Sequence, residues 1–265
     1  MELIFLKLGG SLITQKNKPF TERRDIIERL AKEIHEARQE KDFSLLIGNG
    51  GGSYPHTAAK EYQTANGIIN QDSYRGIAEV QDAAARLNRI IIRALLDAGE
   101  NAISIQPSAL ALAKNSRIID FHSKELEMFL EKNMIPVVYG DVGLDTEKGC
   151  CILSTEELFV ALVQKLNPTK IIMCGVVDGV MTADPTIDPT AILIKEINHK
   201  NYEDVKKSIT GSSGIDVTGG MIEKVNKSLE LTDHDTDVWI INGAKENRLK
   251  QILLGSDVIG TVIKA

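Results

Sequence analysis

Two residues are placed for chemistry by the glycines beside them. Lys7 stands two residues ahead of Gly9-Gly10-Ser11, and His56 stands four residues beyond the triplet Gly50-Gly51-Gly52. Glycines let backbone N–H groups approach an anion, and a helix start adds partial positive charge. The triplet follows an apolar run, Phe43 to Ile47, and precedes a helix-like stretch, Thr57 to Tyr62. A strand, a glycine turn and a helix in that order suit phosphate binding. Leu3 to Leu8 followed by Gly9-Gly10-Ser11 has the same form. Two such loops in one chain point to two phosphorylated ligands and to phosphoryl transfer.

A lysine inside a strand is costly unless it meets an anion. Lys7 therefore either bridges transferring phosphates or snorkels from a half-exposed strand. Lys16 and Lys18 follow in a polar loop that either folds over a nucleotide or is simply solvated. His56 falls in the first turn of the expected helix. Its imidazolium would donate to a phosphate, which in turn raises the ring's pKa; the plainer alternative is a surface or core histidine.

Two later segments fit the same chemistry. Asp178 to Pro185 follows an expected strand, Lys170 to Cys174, and is either a plain hairpin or a carboxylate-bearing edge for a nucleotide or its metal. Gly211 to Lys224 places Gly219-Gly220 at a helix start with Lys224 one turn further in, either an anion site or a surface loop. The chain has no Gly-x-x-x-x-Gly-Lys-Ser/Thr loop, no His-Arg-Asp or Asp-Phe-Gly set, no Gly-x-Gly-x-x-Gly and no Gly-x-Ser-x-Gly. P-loop enzymes, protein kinases and elbow hydrolases are thereby set aside, and a dinucleotide fold is weakened.

The elements that must hold these residues alternate. Strands are expected at Leu3 to Leu8, Phe43 to Ile47, Ala102 to Ile105, Pro136 to Tyr139, Lys170 to Cys174, Asp237 to Ile241 and Val258 to Ile263. Helices are expected at Glu22 to Glu40, Gly51 to Tyr62, Ser73 to Ala98, Leu158 to Leu166, Thr218 to Leu231 and Glu246 to Leu253. Asp141 to Leu153 reads as a hairpin turning near Asp145 and Gly149, and Ser154-Thr155-Glu156-Glu157 as a capping box. Such alternation predicts an α/β fold with a mostly parallel sheet covered on both faces. The best boundary lies near Asn167-Pro168, giving two lobes, 1–167 and 168–265, on one continuous sheet.

The 265 residues carry a net charge of -6, with 43% hydrophobic and 26% charged residues. That is enough chain for a sizeable core, and it lacks the basic footprint of a nucleic-acid binder. No run approaches a membrane span, and no signal peptide pattern opens the chain. Cys150, Cys151 and Cys174 have neither disulfide nor metal-ligand spacing, which fits reduced thiols in a cytoplasmic protein.

Taken together, these motifs resemble the amino acid kinase superfamily: Lys-Leu-Gly-Gly-Ser at 7–11, the triplet at 50–52, Gly140-Asp141, Asp178 to Pro185, and Gly219-Gly220-Met221 with Lys224. Gly48 to Ser53 followed by His56 is most similar to the isopentenyl phosphate kinase family. The resemblance implies a three-layer αβα sandwich, with ATP in the C-terminal lobe, the acceptor in the N-terminal lobe, and a homodimer. It implies ATP- and Mg²⁺-dependent phosphorylation of isopentenyl phosphate to its diphosphate in isoprenoid biosynthesis. By family analogy, Lys7, Gly9, Gly10, Ser11, Lys16, Gly52, Asp178, Thr182, Gly220 and Lys224 serve ATP. Gly51 and His56 serve the acceptor with Thr155 close to it, and Lys7, Lys16 and His56 act in the transfer. Where the family often reads Ser-Gly-Asp this chain reads Ser154-Thr155-Glu156, so Thr155 and Glu156 either bind acceptor and nucleotide or only cap a helix. An apolar acceptor tail would need a pocket near His56, lined by the helix Ser73 to Ala98 and by Ile68-Ile69. The alternatives are another enzyme of the superfamily, such as fosfomycin kinase, or a silent nucleotide sensor.

Overall fold

The computed structural model describes residues 1–183, 188–211, 219–232, 234 and 236–265. In chain order its main elements are β1 (Leu3–Leu8), α1 (Gly10–Ile13), α2 (Arg24–Glu40), β2 (Ser44–Asn49), α3 (Pro55–Glu61), α4 (Asp72–Asp97), β3 (Ala102–Ser104), β4 (Ala111–Lys114), β5 (Arg117–Phe121), α5 (Lys124–Glu131), β6 (Ile135–Tyr139), β7 (Asp141–Asp145), β8 (Gly149–Leu153), α6 (Thr155–Leu166), β9 (Lys170–Gly175), β10 (Glu196–Ile197), α7 (Tyr202–Gly211), α8 (Gly219–Thr232), β11 (Asp237–Asn242), α9 (Arg248–Leu253) and β12 (Gly260–Ile263).

The two-residue period of β1 organises the molecule. Ile4, Leu6 and Leu8 enter one core with α2, α4 and α9. Phe5 enters the other, with α6, α7 and α8, where its ring lies 5.1 Å from that of Phe159. Strands buried on both faces read as near-continuous apolar runs, which is why Leu3–Leu8, interrupted by Lys7, and Ser44–Asn49 show no regular polar alternation. Lys7 has the parity of Phe5, so it belongs to the face covered by α6 and α8.

The described strands form an eight-stranded sheet in the order β10-β12-β11-β9-β1-β2-β6-β3. Pairings along it are parallel except that of β11 with β12. From β1 the chain goes to β2 on one side and later to β9 on the other, so β1 is the topological switch point. Ligands of open α/β sheets bind outside the carboxyl ends of strands at such a point. The expected three-layer α/β architecture is therefore found, on one continuous sheet. A second sheet, β5-β4-β7-β8, lies beside it.

The hairpin over Asp141–Leu153 forms where the sequence places it. Asp145 fixes its turn by accepting from the N–H groups of Asn115, Ser116, Glu147 and Lys148 at 2.7–3.1 Å. Burial acts to raise that carboxyl, but the four donors outweigh it and hold it well below the usual range. Ser154 caps α6, accepting from Glu157 N at 3.1 Å. The reciprocal half of a capping box is not made: the buried Glu157 carboxylate instead accepts from Arg117, Lys227 and Ile118 N.

Other expectations need correcting. The glycine triplet is not helical; α3 begins at Pro55, because Gly52 takes a left-handed φ of 54° that cannot continue a helix. The strands β4, β5 and β10 and the helices α1, α5 and α7 were not foreseen. Among the described residues no helix is long and apolar enough to cross a membrane.

Candidate active site

The carboxyl ends of β1, β2, β6 and β9 each run into glycine: Gly9-Gly10, Gly50-Gly51-Gly52, Gly140 and Gly175. These turns ring a cleft of about 1100 Å³. Lys7, Gly9, Gly10, Ser11, Lys16, Gly51, Gly52, His56, Thr155, Glu156 and Lys224 all line it. Residues spread over more than 200 positions of sequence thus converge on one cavity.

The first two loops are in contact. A Cβ on Gly10 would lie 2.5 Å from Gly52 N, and one on Gly50 would lie 2.7 Å from Gly10 N. Gly9 N also donates to Cys174 O at 2.8 Å. These glycines are therefore required by loop-to-loop packing as well as by any anion. Gly175 and Gly220 differ, since a Cβ on either would meet nothing within 4 Å. Gly175 lines the cleft, so the space its missing side chain leaves is open for a ligand.

Lys7 is buried, 9% exposed, and is paired with Glu156 at the start of α6. Burial acts to raise the Glu156 carboxyl, but the Lys7 ammonium outweighs it and leaves it below its ordinary value. Across the cleft Lys224 is pushed down by burial and then by repulsion from Lys7, with Lys16 adding to it and Glu156 opposing it. His56, at the exposed mouth, is lowered by desolvation and then by the Lys16 charge. Lys16 is felt at both ends of the cleft and has no ion-pair partner among the described residues. Basic groups crowded around a void, with His56 and Lys224 both lowered, form a site that an anion relieves.

The Gly50-Gly51-Gly52 loop is fixed from beneath. Asn49 O accepts from Thr155 Oγ1 and from Gly140 N, both at 2.9 Å. The buried Asn88 of α4 donates to Asn49 Oδ1 at 3.0 Å. Thr155 is thus a buried strut whose hydroxyl is engaged, and Glu156 is the partner of Lys7 rather than a helix cap. Asp141 also lines the cleft, but it accepts from Ser108 N at 3.0 Å and Val142 N at 2.9 Å. Desolvation raises its carboxyl.

Three expected ATP residues are not among those lining the cleft. Asp178 is ion-paired with Arg248. Thr182 forms a local turn pairing in which its N–H donates to Ile192 O and its Oγ1 accepts from Ile192 N, both at 2.9 Å. Gly220 is exposed in the first turn of α8, the helix that carries Lys224. Asp184-Pro185 and residues 212–218 lie outside the described residues. The apolar lining of the cleft matches expectation in part. Val80 is the contribution of α4, and Ala59, Ile152 and Leu153 complete that wall. Ile68 does not line the cleft but packs behind it, in the apolar cluster that holds Val80, Ala59 and Ile152, and Ile69 is exposed.

Two histidine–carboxylate pairs occur elsewhere: His35 Nδ1 lies 3.0 Å from Glu100 Oε1, and His122 pairs with Glu125. None of the four lines the cleft. Sequence reasoning missed Gly175, which the rule that found Gly9 would have found, a glycine closing an apolar strand.

A mostly parallel αβα sheet with a cationic, glycine-ringed cleft at its switch point defines a small-molecule phosphotransferase class, and the amino acid kinase family model matches residues 2–242. The chain belongs to the amino acid kinase family. Within it the chain is 37% identical over 269 residues to the isopentenyl phosphate kinase of Methanothermobacter thermautotrophicus, a match covering 98% of each chain. It is 33% identical to that of Methanocaldococcus jannaschii, again with 98% of each covered. A solved isopentenyl phosphate kinase structure superposes with a TM-score of 0.84 at 34% identity, over 99% of this chain and 100% of that one. Carbamate kinase from Giardia lamblia, at 15% identity and a TM-score of 0.73, shares the fold.

Proposed function

We propose that this protein transfers the γ-phosphoryl group of ATP to isopentenyl phosphate, forming isopentenyl diphosphate and ADP. The observation that carries the reading is the convergence of Lys7, Lys16, His56 and Lys224 on one cleft between two touching glycine loops. The names of the full-length relatives supply the acceptor.

The chemistry follows from charge. A phosphate monoester is already a dianion near pH 7, its second pKa being about 6. One of its oxygens attacks the γ-phosphorus in line, and the bond from that phosphorus to the oxygen bridging to ADP breaks. No proton has to be removed from the nucleophile, so no general base is required. That agrees with the state of Asp141 and Glu156, both already engaged. What must be overcome is repulsion between two polyanions, and catalysis becomes positioning and charge neutralisation.

In this reading Lys7, Lys16 and Lys224, with the N–H groups of the Gly9-Gly10-Ser11 turn, hold the phosphates of ATP. His56 and the Gly51 turn hold the acceptor phosphate, and Ala59, Val80, Ile152 and Leu153 receive its apolar tail. Residues 1–167 then serve mainly the acceptor and 168–265 mainly the nucleotide. Mg²⁺ would accompany ATP in this reading. It would neutralise charge on the transferring phosphates. The isoprenoid (mevalonate) route, a cytoplasmic location and a homodimer belong to the same reading. The three buried free thiols suit the location, and light scattering tests the dimer.

The test is an acceptor panel with MgATP. ADP release should require isopentenyl phosphate or a close alkyl phosphate, with the product heavier by one phosphoryl group. Release supported only by an amino acid, carbamate, UMP or fosfomycin would leave the family assignment standing and reject the acceptor.

A further inference from the structure

The loop that carries Lys16 is strapped to the turn that carries His56. At its base Gln15 N donates to Thr21 O at 2.9 Å, beside a bridge between Thr14 and Glu22. Along its length Phe20 N donates to Ser53 O at 3.3 Å, and Thr21 N donates to Ser53 Oγ at 3.3 Å. The hydroxyl of buried Tyr54 donates to the Glu22 carboxylate at 2.6 Å. The Phe20 ring meets the Tyr54 ring edge-on, centroids 5.6 Å apart, and Arg86 of α4 lies over the Phe20 ring at 5.0 Å.

Phe20 has a left-handed φ of 48°. A non-glycine residue keeps that conformation only where its surroundings over-determine it. The loop is therefore held in shape by these contacts rather than by its own preferences. Lys16 is exposed and without an ion-pair partner among the described residues, so what sets its ammonium against the cleft is the backbone that the contacts hold. Tyr54 is also two residues from His56 and is the N-cap of its helix.

We propose that Glu22, Tyr54 and Phe20 form a positioning clasp that keeps Lys16 in register with His56, so that both cations face one phosphate-to-phosphate transfer. The clasp acts through Lys16 and touches no substrate. Its catalytic consequence rests on the function proposed above, whereas its existence does not.

Two measurements test it. Hydrogen exchange of the substrate-free protein reads the clasp directly. Tyr54→Phe should speed exchange of the Gln15, Phe20 and Thr21 amides about tenfold, while the β1 and β2 amides stay unchanged; no change in the loop overturns the clasp. A kinetic cycle then reads its action. Tyr54→Phe and Glu22→Leu should each lower kcat/KM about tenfold, and Glu22→Gln, which still accepts from Tyr54, should recover most of it. In a Lys16→Ala background Tyr54→Phe should add less than about twofold. Equal, multiplicative losses in both backgrounds, or a Glu22→Gln variant as slow as Glu22→Leu, overturn action through Lys16. If the parent protein shows no turnover with isopentenyl phosphate, the acceptor assignment fails, and exchange alone decides the clasp.

Discussion

Gly10 and Gly52 meet backbone to backbone across the cleft floor: a Cβ on Gly10 would lie 2.5 Å from Gly52 N and 2.7 Å from Gly52 Cα. Neither obstacle is a flexible side chain, so a methyl group there must push one loop off the other. Overpacking of this kind costs about 1–3 kcal/mol. Gly10→Ala should therefore lower Tm by several degrees and impair both ligand sites. Gly175→Ala provides the contrast, because its methyl meets no protein atom within 4 Å. It should leave Tm within about 2 °C of the parent while raising the KM for ATP at least about tenfold. Calorimetric scans and steady-state kinetics on the two variants check this. Equal thermal losses, or a Gly175→Ala enzyme with an unchanged KM, would count against an open nucleotide space beside Gly175.

Lys7 and Glu156 are both largely buried, their side chains 11% and 17% exposed. Removing one partner of such a pair strands the other and costs about 3–5 kcal/mol. Lys7→Ala should therefore reduce stability as well as slow single turnover by about 10²–10³. Adding Glu156→Ala should restore much of the lost stability and none of the rate. Denaturant midpoints and rapid-quench rates separate the two effects. A Lys7→Ala enzyme with a near-normal single-turnover rate removes that ammonium from the transfer.

His56 predicts a proton effect whose sign is fixed. Desolvation and then Lys16 hold its pKa below 6.5 in the ligand-free protein, so near pH 7.5 the ring is neutral. A bound phosphate dianion favours the imidazolium and raises that pKa. Acceptor binding should therefore take up protons, and affinity should fall as pH rises through the bound-state pKa. At about pH 7.5 the monoester is already nearly all dianion, so the uptake belongs to the protein. Calorimetric titrations in two buffers of different ionisation enthalpy measure it. Proton release, or uptake that persists in His56→Ala, contradicts the assignment.

Much of the scaffold was legible because its signals are local. Leu3–Leu8 and Ser44–Asn49 are short apolar runs closed by glycine, and Asp145 and Ser154 mark a turn and a cap by their own hydrogen bonds. The second sheet was harder to see. Its strands β4 and β5 are short and carry exposed Leu112 and Ile119 beside lysine and arginine, so the period-2 pattern breaks, as does the register between Leu112 and Ala113. The site was legible as a set of loops but not as a set of partners. Lys7 and Glu156 lie 149 positions apart, and only β1 parity together with the placement of α6 brings them together. Asp178 shows the same limit: a carboxylate after a strand suggested a nucleotide contact, and its Arg248 partner, 70 positions away, left no local signal.

If one cleft has two distinct phosphate ends, His56→Ala should damage one and spare the other. With MgATP and isopentenyl phosphate, this variant should lose at least about a hundredfold in kcat/KM for the acceptor, while calorimetry shows its MgATP dissociation constant within about twofold of the parent's. Acceptor kinetics unchanged from the parent, or a loss that falls on MgATP binding instead, would contradict it.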